Sequence, residues 1–197
     1  MTKRFLCVAA LLWSALPAPA YVEAPASLAV LLKESDVVIK GAVDAVSLEK
    51  KVVILRVGKA VKGKSAYEKI RVDLSTGDGW QPAAALRHAV AGTPVSIFYK
   101  KADNAETAAA GIVYLNRFFF MAQGGAEVWR FSKIELGMSK VFTGTPDELA
   151  ELVAKVNAGR AKAPAAGDLK PWTKDALDAL PLPPKEGEPW PPFSPGP

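Results

Sequence analysis

The alternation of apolar and polar positions predicts a chain built mainly from β-strands. In YEKIRVDL, residues 67–74, apolar side chains at every second position alternate with charged ones, which is the period of a half-buried strand. Segments rich in valine, isoleucine and aromatic residues carry further strand signals: DVVIKGAVDAVSLE, KKVVILRVGKAV, TPVSIFYKK, IVYLNRFFFMAQ and AEVWRFSKIE. Gly124 and Gly125 lie between the last two of these and predict a hairpin turn.

Helical signals occupy three places. Ser27 precedes a short apolar run and predicts a capped helix that ends near Ser35. QPAAALRHAVAG, residues 81–92, predicts a helix whose apolar face consists of Ala83, Leu86, Ala89 and Val90. TPDELAELVAKVNAG, residues 145–159, combines a capping box, a proline at the first helical position and a terminal glycine, and predicts the C-terminal helix.

This order of elements predicts a mainly β fold. The expected architecture is a five-stranded, OB-fold-like Greek-key barrel with a helix between strands 3 and 4, an extra C-terminal strand and a C-terminal helix. Gly41 suits a sharp bend in the first strand. Lipocalin-like and immunoglobulin-like folds are the alternatives, and they account less well for the helix in the middle of the chain.

The two ends of the chain differ in composition from its centre. Residues 1–20 combine Lys3 and Arg4, a short apolar run and Ala18-Pro19-Ala20, the pattern of a secretory signal peptide cleaved after Ala20. Residues 21–160 form the predicted barrel domain. Residues 161–197 hold ten of the sixteen prolines and predict an extended or disordered tail, with a short helical piece at 173–180 beside Trp172.

Several segments resemble those of secreted bacterial OB-fold-like domains. The resemblance rests on VVIKGAVDAV, VVILRVGKAVKGK and KIRVDL, together with MSKVFTGTPDELAELVAKVNAGR, and covers about residues 36–160. Some of these barrels are similar to the netrin and metalloproteinase-inhibitor barrels of animals. The resemblance implies an exported barrel. The animal inhibitors are built on cysteines, whereas the one cysteine here, Cys7, lies in the predicted signal peptide, so a cysteine-based inhibitory terminus is not expected.

The stretch GKAVKGKS, residues 58–65, matches the letters of a phosphate-binding loop through Gly58, Gly63, Lys64 and Ser65. Such a loop requires a helix directly after it, because backbone N–H groups at the helix N-terminus hold the phosphates. The residues after Ser65 alternate as a strand does. We therefore interpret the match as chance and expect no nucleotide cofactor.

Charge and composition narrow the expected partners. The net charge is +5, and basic residues cluster on the predicted second and third strands, the surface that OB-folds use for oligonucleotides. No aromatic residue for base stacking lies between positions 37 and 66, so we expect no nucleic-acid partner. One histidine and no cysteine beyond the predicted signal argue against a zinc site, and no second apolar run is long enough to span a membrane.

Four residues are candidate ligand contacts. Asp78 and Trp80, in the loop GDGW, could hold a sugar or peptide, although a tryptophan folded back over the barrel end is the favoured interpretation. His88 is predicted on the helix surface. Asp103 lies in the polar loop 101–111, and we expect any binding surface between that loop and the Trp80 loop.

The predicted function is a non-enzymatic binding or interaction module in the periplasm or outside the cell, with a protein, peptide or saccharide as its partner. The first alternative is a structural accessory protein that docks on a larger envelope assembly through its proline-rich tail. A hydrolase with an unrecognised site is the second alternative, and a pH–rate profile tied to His88 would favour it.

Overall fold

A computed structural model describes residues 27–164, 170–185 and 188–193 of the chain. The predicted signal peptide and Cys7 lie outside these residues. The described chain is mainly β, as predicted: seven strands close into a barrel, and four α-helices and two short 3₁₀ helices surround it. Among the described residues, no helix has both the length and the apolar character needed to cross a membrane.

The elements follow one another in the order that the sequence predicts, with one additional strand. The helices are α1 (Leu28–Glu34), α2 (Gln81–His88), α3 (Pro146–Asn157) and α4 (Lys174–Asp178). The strands are β1 (Val37–Ser47), β2 (Val52–Lys62), β3 (Lys69–Asp73), β4 (Pro94–Lys101), β5 (Ala108–Leu115), β6 (Phe118–Gln123) and β7 (Val128–Ile134).

The barrel closes in the order β1-β2-β3-β7-β6-β5-β4. Six of its seven pairings are antiparallel, and β3 with β7 is the parallel one. β1 pairs with β2 on one side and with β4 on the other. A Cβ at Gly41 would lie 2.5 Å from the backbone oxygen of Arg56, so the close approach of β1 and β2 requires a glycine there.

The strand count of the sequence prediction was wrong. The segment IVYLNRFFFMAQ forms not one strand but the β5–β6 hairpin, turning at Asn116 and Arg117. Both turn residues have positive φ angles, 39° and 73°. A two-residue hairpin turn with two positive φ angles is usually marked by Asn-Gly or Asp-Gly. Here arginine stands in place of that glycine, so the sequence carries no recognisable turn signal. The segment therefore resembles one continuous apolar strand.

Two apolar layers hold the fold together. One fills the barrel interior, and the other lies between the outside of the barrel and the helices α1 and α3. β5 contributes to both layers: Val113 packs inside, and Ile112 and Tyr114 pack outside against the helix layer. β5 is therefore buried on both faces, and the layer that includes the C-terminal helix covers one of them.

The helix caps agree with the sequence prediction. The Thr145 side chain accepts a hydrogen bond from the backbone N–H of Glu148, and the Glu148 carboxylate accepts one from the Thr145 N–H, which is the predicted capping box. Gly159 follows the end of α3 with a φ of +68°. At the start of α1, the Ser27 side chain accepts a hydrogen bond from the backbone N–H of Val30.

The described part of the predicted tail packs on the barrel instead of standing apart from it. Trp172, Leu177 and Leu180 are buried and belong to the interior apolar layer. The Trp172 ring N–H donates to the carbonyl of Arg117 at 3.2 Å, and its backbone N–H donates to that of Leu136 at 2.8 Å. Thr173 caps α4, the short helix that was predicted there. The barrel core therefore extends past residue 160.

Candidate functional site

The four predicted contact residues do not form one site. The turn after β1, the turn after β5 and helix α2 lie at one end of the barrel, which we call the tail end. The connections 63–68, 102–107 and 124–127 lie at the opposite end, which we call the loop end. Asp78, Trp80 and His88 are at the tail end and Asp103 is at the loop end. The expected binding surface between the two loops is therefore wrong.

The Trp80 loop runs along the rim of the tail end. Asp78 is exposed, and Trp80 is the N-cap residue of α2 with its ring packed against the barrel interior, the favoured interpretation of this residue. The Gln81 side chain accepts a hydrogen bond from the backbone N–H of Ile134 at 2.6 Å, and Thr76 donates to the carbonyl of Phe131 at 2.7 Å. These bonds attach the loop to β7.

Helix α2 is rotated relative to the prediction. Its buried residues are Pro82, Ala84, Ala85 and His88, whereas Ala83 is exposed. His88 is 1% exposed and does not lie on the helix surface. His88 can be buried because hydrogen-bond partners surround it inside the fold. The apolar pattern of the helix does not reveal those partners.

His88 is the centre of a buried hydrogen-bond network. Its Nδ1 lies 2.7 Å from the side-chain nitrogen of Asn116, which also donates to the carbonyl of Pro181 at 2.9 Å. Its Nε2 lies 3.2 Å from the carbonyl of Leu177. Since a carbonyl only accepts, Nε2 carries the proton, and Nδ1 accepts from Asn116. His88 is therefore neutral, and both ring nitrogens are occupied, Nδ1 by Asn116 of the β5–β6 turn and Nε2 by the tail.

Arg117 adjoins this network and holds the outer part of the tail. Its side chain is buried, and it donates to the carbonyls of Thr143 at 3.0 Å and Pro191 at 3.2 Å. The guanidinium carbon lies 5.0 Å from the ring centroid of Phe193 and 5.8 Å from that of Trp190. In the described part of the chain Arg117 has no carboxylate partner, so aromatic faces and carbonyl oxygens stabilise its charge.

Together, His88, Asn116 and Arg117 form a surface that we call the tail platform. It binds the tail through donors aimed at main-chain carbonyls of residues 177, 181 and 191, and through a cation under two aromatic rings. Proline-containing segments leave carbonyls unpaired, since proline lacks an N–H group and disrupts regular pairing. The platform therefore has the chemistry of a receptor for extended, proline-containing peptide.

Because His88 is neutral in the folded protein, we expect acid to lower the free energy of unfolding. Burial lowers the pKa of His88 below its ordinary value of 6.5, and the Leu177 carbonyl acts in the opposite direction. The neighbouring charges, Arg87 and Asp178, act with opposite signs. Because the unfolded chain binds this proton more readily, the free energy of unfolding decreases as the pH falls below about 6.5 through the lowered pKa, by at most about 1.4 kcal/mol per pH unit.

Urea unfolding at intervals from pH 7.5 to pH 5 measures this dependence. The unmodified chain should lose stability over that range more steeply than a His88→Gln variant, which cannot take up the proton. Equal slopes for the two proteins would show that His88 titrates alike in the folded and unfolded states.

The phosphate-loop residues lie on a connection between strands. β2 continues to Lys62, and residues 63–68 lead into β3 without a helix. The Lys62 ammonium donates to the carbonyls of Leu32 at 2.7 Å and Ser35, so it closes the C-terminal end of α1. Gly58, Gly63, Lys64 and Ser65 line a shallow groove of about 530 Å³. The strand-to-helix junction that holds phosphates is not formed by these residues.

The loop end is closed by aromatic side chains. The rings of Tyr67, Tyr99 and Trp129 meet edge to face with centroids 5.7–5.8 Å apart. The Tyr67 hydroxyl donates to the Gly125 carbonyl and accepts from the Ala108 N–H, both at 2.7 Å. Asp103 lies outside this cluster on an exposed loop. Across the described residues, no three histidine, cysteine or acidic side chains are grouped as metal ligands.

Sequence reasoning did not identify Asn116 and Arg117 as functional candidates. Their signal is a polar pair that interrupts the apolar run 112–122, and it could have indicated a turn with buried polar contacts. In comparisons of the chain with family models, with curated proteins and with solved structures, nothing matched. The functional argument therefore rests on the site itself.

Proposed function

We propose that this chain is an exported, non-enzymatic binding module whose tail platform recognises an extended, proline-flanked aromatic peptide segment. The observation that carries the proposal is the placement of Trp190, Pro191 and Phe193 on Arg117. Export is supported by the signal-peptide pattern of residues 1–20. In this proposal the tail occupies the site of the partner segment within the same chain.

The inner and outer parts of the tail differ in how firmly they are held. Trp172, Leu177 and Leu180 are buried in the core and complete the barrel. Trp190 and Phe193 remain half-exposed, so less of their surface is removed from water. Residues 188–193 are therefore the part that a partner segment can replace without opening the core.

The position of His88 favours a binding module over a hydrolase that would use this side chain. Both ring nitrogens of His88 are engaged in hydrogen bonds, and the side chain is buried among the tail and Phe118. A general base must reach the proton that it removes, directly or through one water. Tail docking on a larger assembly needs no peptide receptor at Arg117, so a peptide-binding experiment separates this alternative from the proposal.

The test uses the full chain and a labelled hexapeptide, Glu-Pro-Trp-Pro-Pro-Phe, which has the sequence of residues 188–193. A double variant, Trp190→Ala with Phe193→Ala, weakens the resident tail and should bind the peptide at least about tenfold more tightly than the unmodified chain. The reason is that a tethered competitor acts at an effective concentration in the millimolar range. Fluorescence anisotropy measures the affinity.

The controls address both the peptide and the platform. A peptide with alanine at both aromatic positions should not bind. Adding Arg117→Lys to the double variant should abolish binding, because lysine keeps the charge but lacks the planar group that stacks on rings. Leu182→Ala changes an exposed tail residue between the two docked parts and should behave as the unmodified chain. A folded double variant that fails to bind millimolar peptide would contradict the proposal and favour docking of the tail elsewhere.

A further inference from the structure

A second concave surface at the tail end lies apart from the tail platform. It is a cleft of about 360 Å³ between the turn 48–51, the short 3₁₀ helix Leu74–Thr76 and helix α2. Its lining includes Leu48, Lys51, Leu74, Pro82, Leu86 and Arg87. The volume lies within the range of small-molecule sites, about 300–1,000 Å³.

The floor and walls of the cleft are apolar. Leu74 and Pro82 are buried beneath it, and Leu86 is half-buried on the helix side. Leu48, on the opposite wall, is 71% exposed. Gly79 leaves the loop wall open, since nothing lies within 4 Å of the position that a Cβ would take. A large apolar side chain that faces water beside other apolar groups marks a surface that gains by being covered.

The charged groups in the lining are both cations. Lys51 is exposed, and it makes no ion pair with any residue of the described segments. Arg87 is half-exposed, with its nearest guanidinium nitrogen 3.6 Å from the Asp178 carboxylate. No acidic side chain lines the cleft. The combination of apolar walls with a cationic rim is complementary to a molecule that has an apolar chain and one carboxylate.

Two neighbouring acids, Asp73 and Asp178, have partners of their own. Asp73 accepts hydrogen bonds from the N–H and the hydroxyl of Ser75, at 2.9 and 2.6 Å. Asp178 is also paired with Lys174, which keeps its charge balanced when Arg87 turns toward a ligand. Lys51 has a φ of +50°, and its carbonyl accepts from the N–H of Leu74 at 2.8 Å. This bond fixes the lysine's backbone beside the cleft despite the unfavourable conformation.

We infer that this cleft binds a small amphipathic carboxylate, with the apolar chain against Leu48, Leu74 and Leu86 and the carboxylate at the rim formed by Lys51 and Arg87. The inference is independent of the peptide proposal, since none of these residues belongs to the tail platform. Burial of the ligand's apolar part and of Leu48 supplies most of the affinity. The two cations favour a negatively charged ligand over a positively charged one.

Nuclear magnetic resonance of the full chain tests this inference, with octanoate as the probe and octylammonium as its match in chain length with opposite charge. Octanoate should shift the amide signals of Gly77 and Gly79 in a saturable manner, and octylammonium should bind at least about tenfold more weakly, because the rim repels it. Acetate, which has the carboxylate without the chain, should produce no saturable shift.

Variants locate the binding. Lys51→Gln and Arg87→Gln should each weaken octanoate binding about two- to fivefold, the effect of a partly exposed ion pair. Leu48→Ser should weaken it about tenfold through lost apolar contact. Lys59→Gln removes an exposed lysine on β2 outside the cleft and should change nothing. Equal binding of octanoate and octylammonium, or saturable shifts only outside the cleft, would overturn the inference.

Discussion

Replacing Trp172 with alanine is expected to lower the free energy of unfolding by about 3–5 kcal/mol, the usual cost of removing a large aromatic side chain from a core. Trp172 is only 8% exposed, and it packs against the barrel interior and against Phe193. Its ring N–H donates to the carbonyl of Arg117, so the substitution also leaves a carbonyl unpaired. Urea unfolding followed by circular dichroism measures the change.

Two further variants separate the causes of this loss. Trp172→Phe keeps most of the apolar contact and removes the hydrogen bond, so its effect should be intermediate. Leu182→Ala alters a residue that is 49% exposed in the same part of the chain and should stay within about 0.5 kcal/mol of the unmodified protein. A Trp172→Ala protein as stable as that control would show that the tail does not complete the core in solution.

Gly111→Ala is the second substitution for which we expect a large loss, about 3 kcal/mol, at the upper end of the cost of overpacking. Gly111 lies on β5, and a Cβ at this position would be 2.2 Å from an atom of the Trp129 ring. Trp129 cannot move aside, because it is fully buried between Tyr67 and Tyr99. Chemical unfolding measures the change.

A double-mutant cycle tests this explanation. Combined with Trp129→Phe, whose smaller ring leaves room for the new methyl group, Gly111→Ala should cost at least about 1 kcal/mol less than it does alone. Gly137→Ala is the matched control: nothing lies within 4 Å of its Cβ position and its φ is not positive, so it should leave stability unchanged or raise it slightly. Additive effects of the two substitutions at positions 111 and 129 would contradict a clash with the ring.

The local elements could be predicted where their signals lie within a few residues. The cap and capping box of α3, the cap of α1 and the glycine turn before β7 agree with the structure. The β5–β6 turn was missed because its second residue is arginine, which rarely adopts a positive φ angle. The fold class was therefore predictable, whereas the number of strands was not.

The candidate site was predicted less well, for two physical reasons. The Trp80 and Asp103 loops are both polar and rich in turn residues, and only strand register shows that they lie at opposite ends of the barrel. The sequence predicts His88 on the helix surface because it lies outside the predicted apolar face of Ala83, Leu86, Ala89 and Val90. Its burial depends on Asn116, in the β5–β6 turn, and on Leu177, in the tail.

The alternation of apolar residues and the helix caps are enough to specify short strands that pack as a barrel and two capped helices, because those signals act between residues two to four positions apart. The tail platform has a different origin. His88, Asn116 and Arg117 contact tail residues that are 89, 65 and 74 positions away along the chain. Such contacts require the closed barrel, which brings α2 and the β5–β6 turn to one end, where their donors meet the carbonyls of the tail.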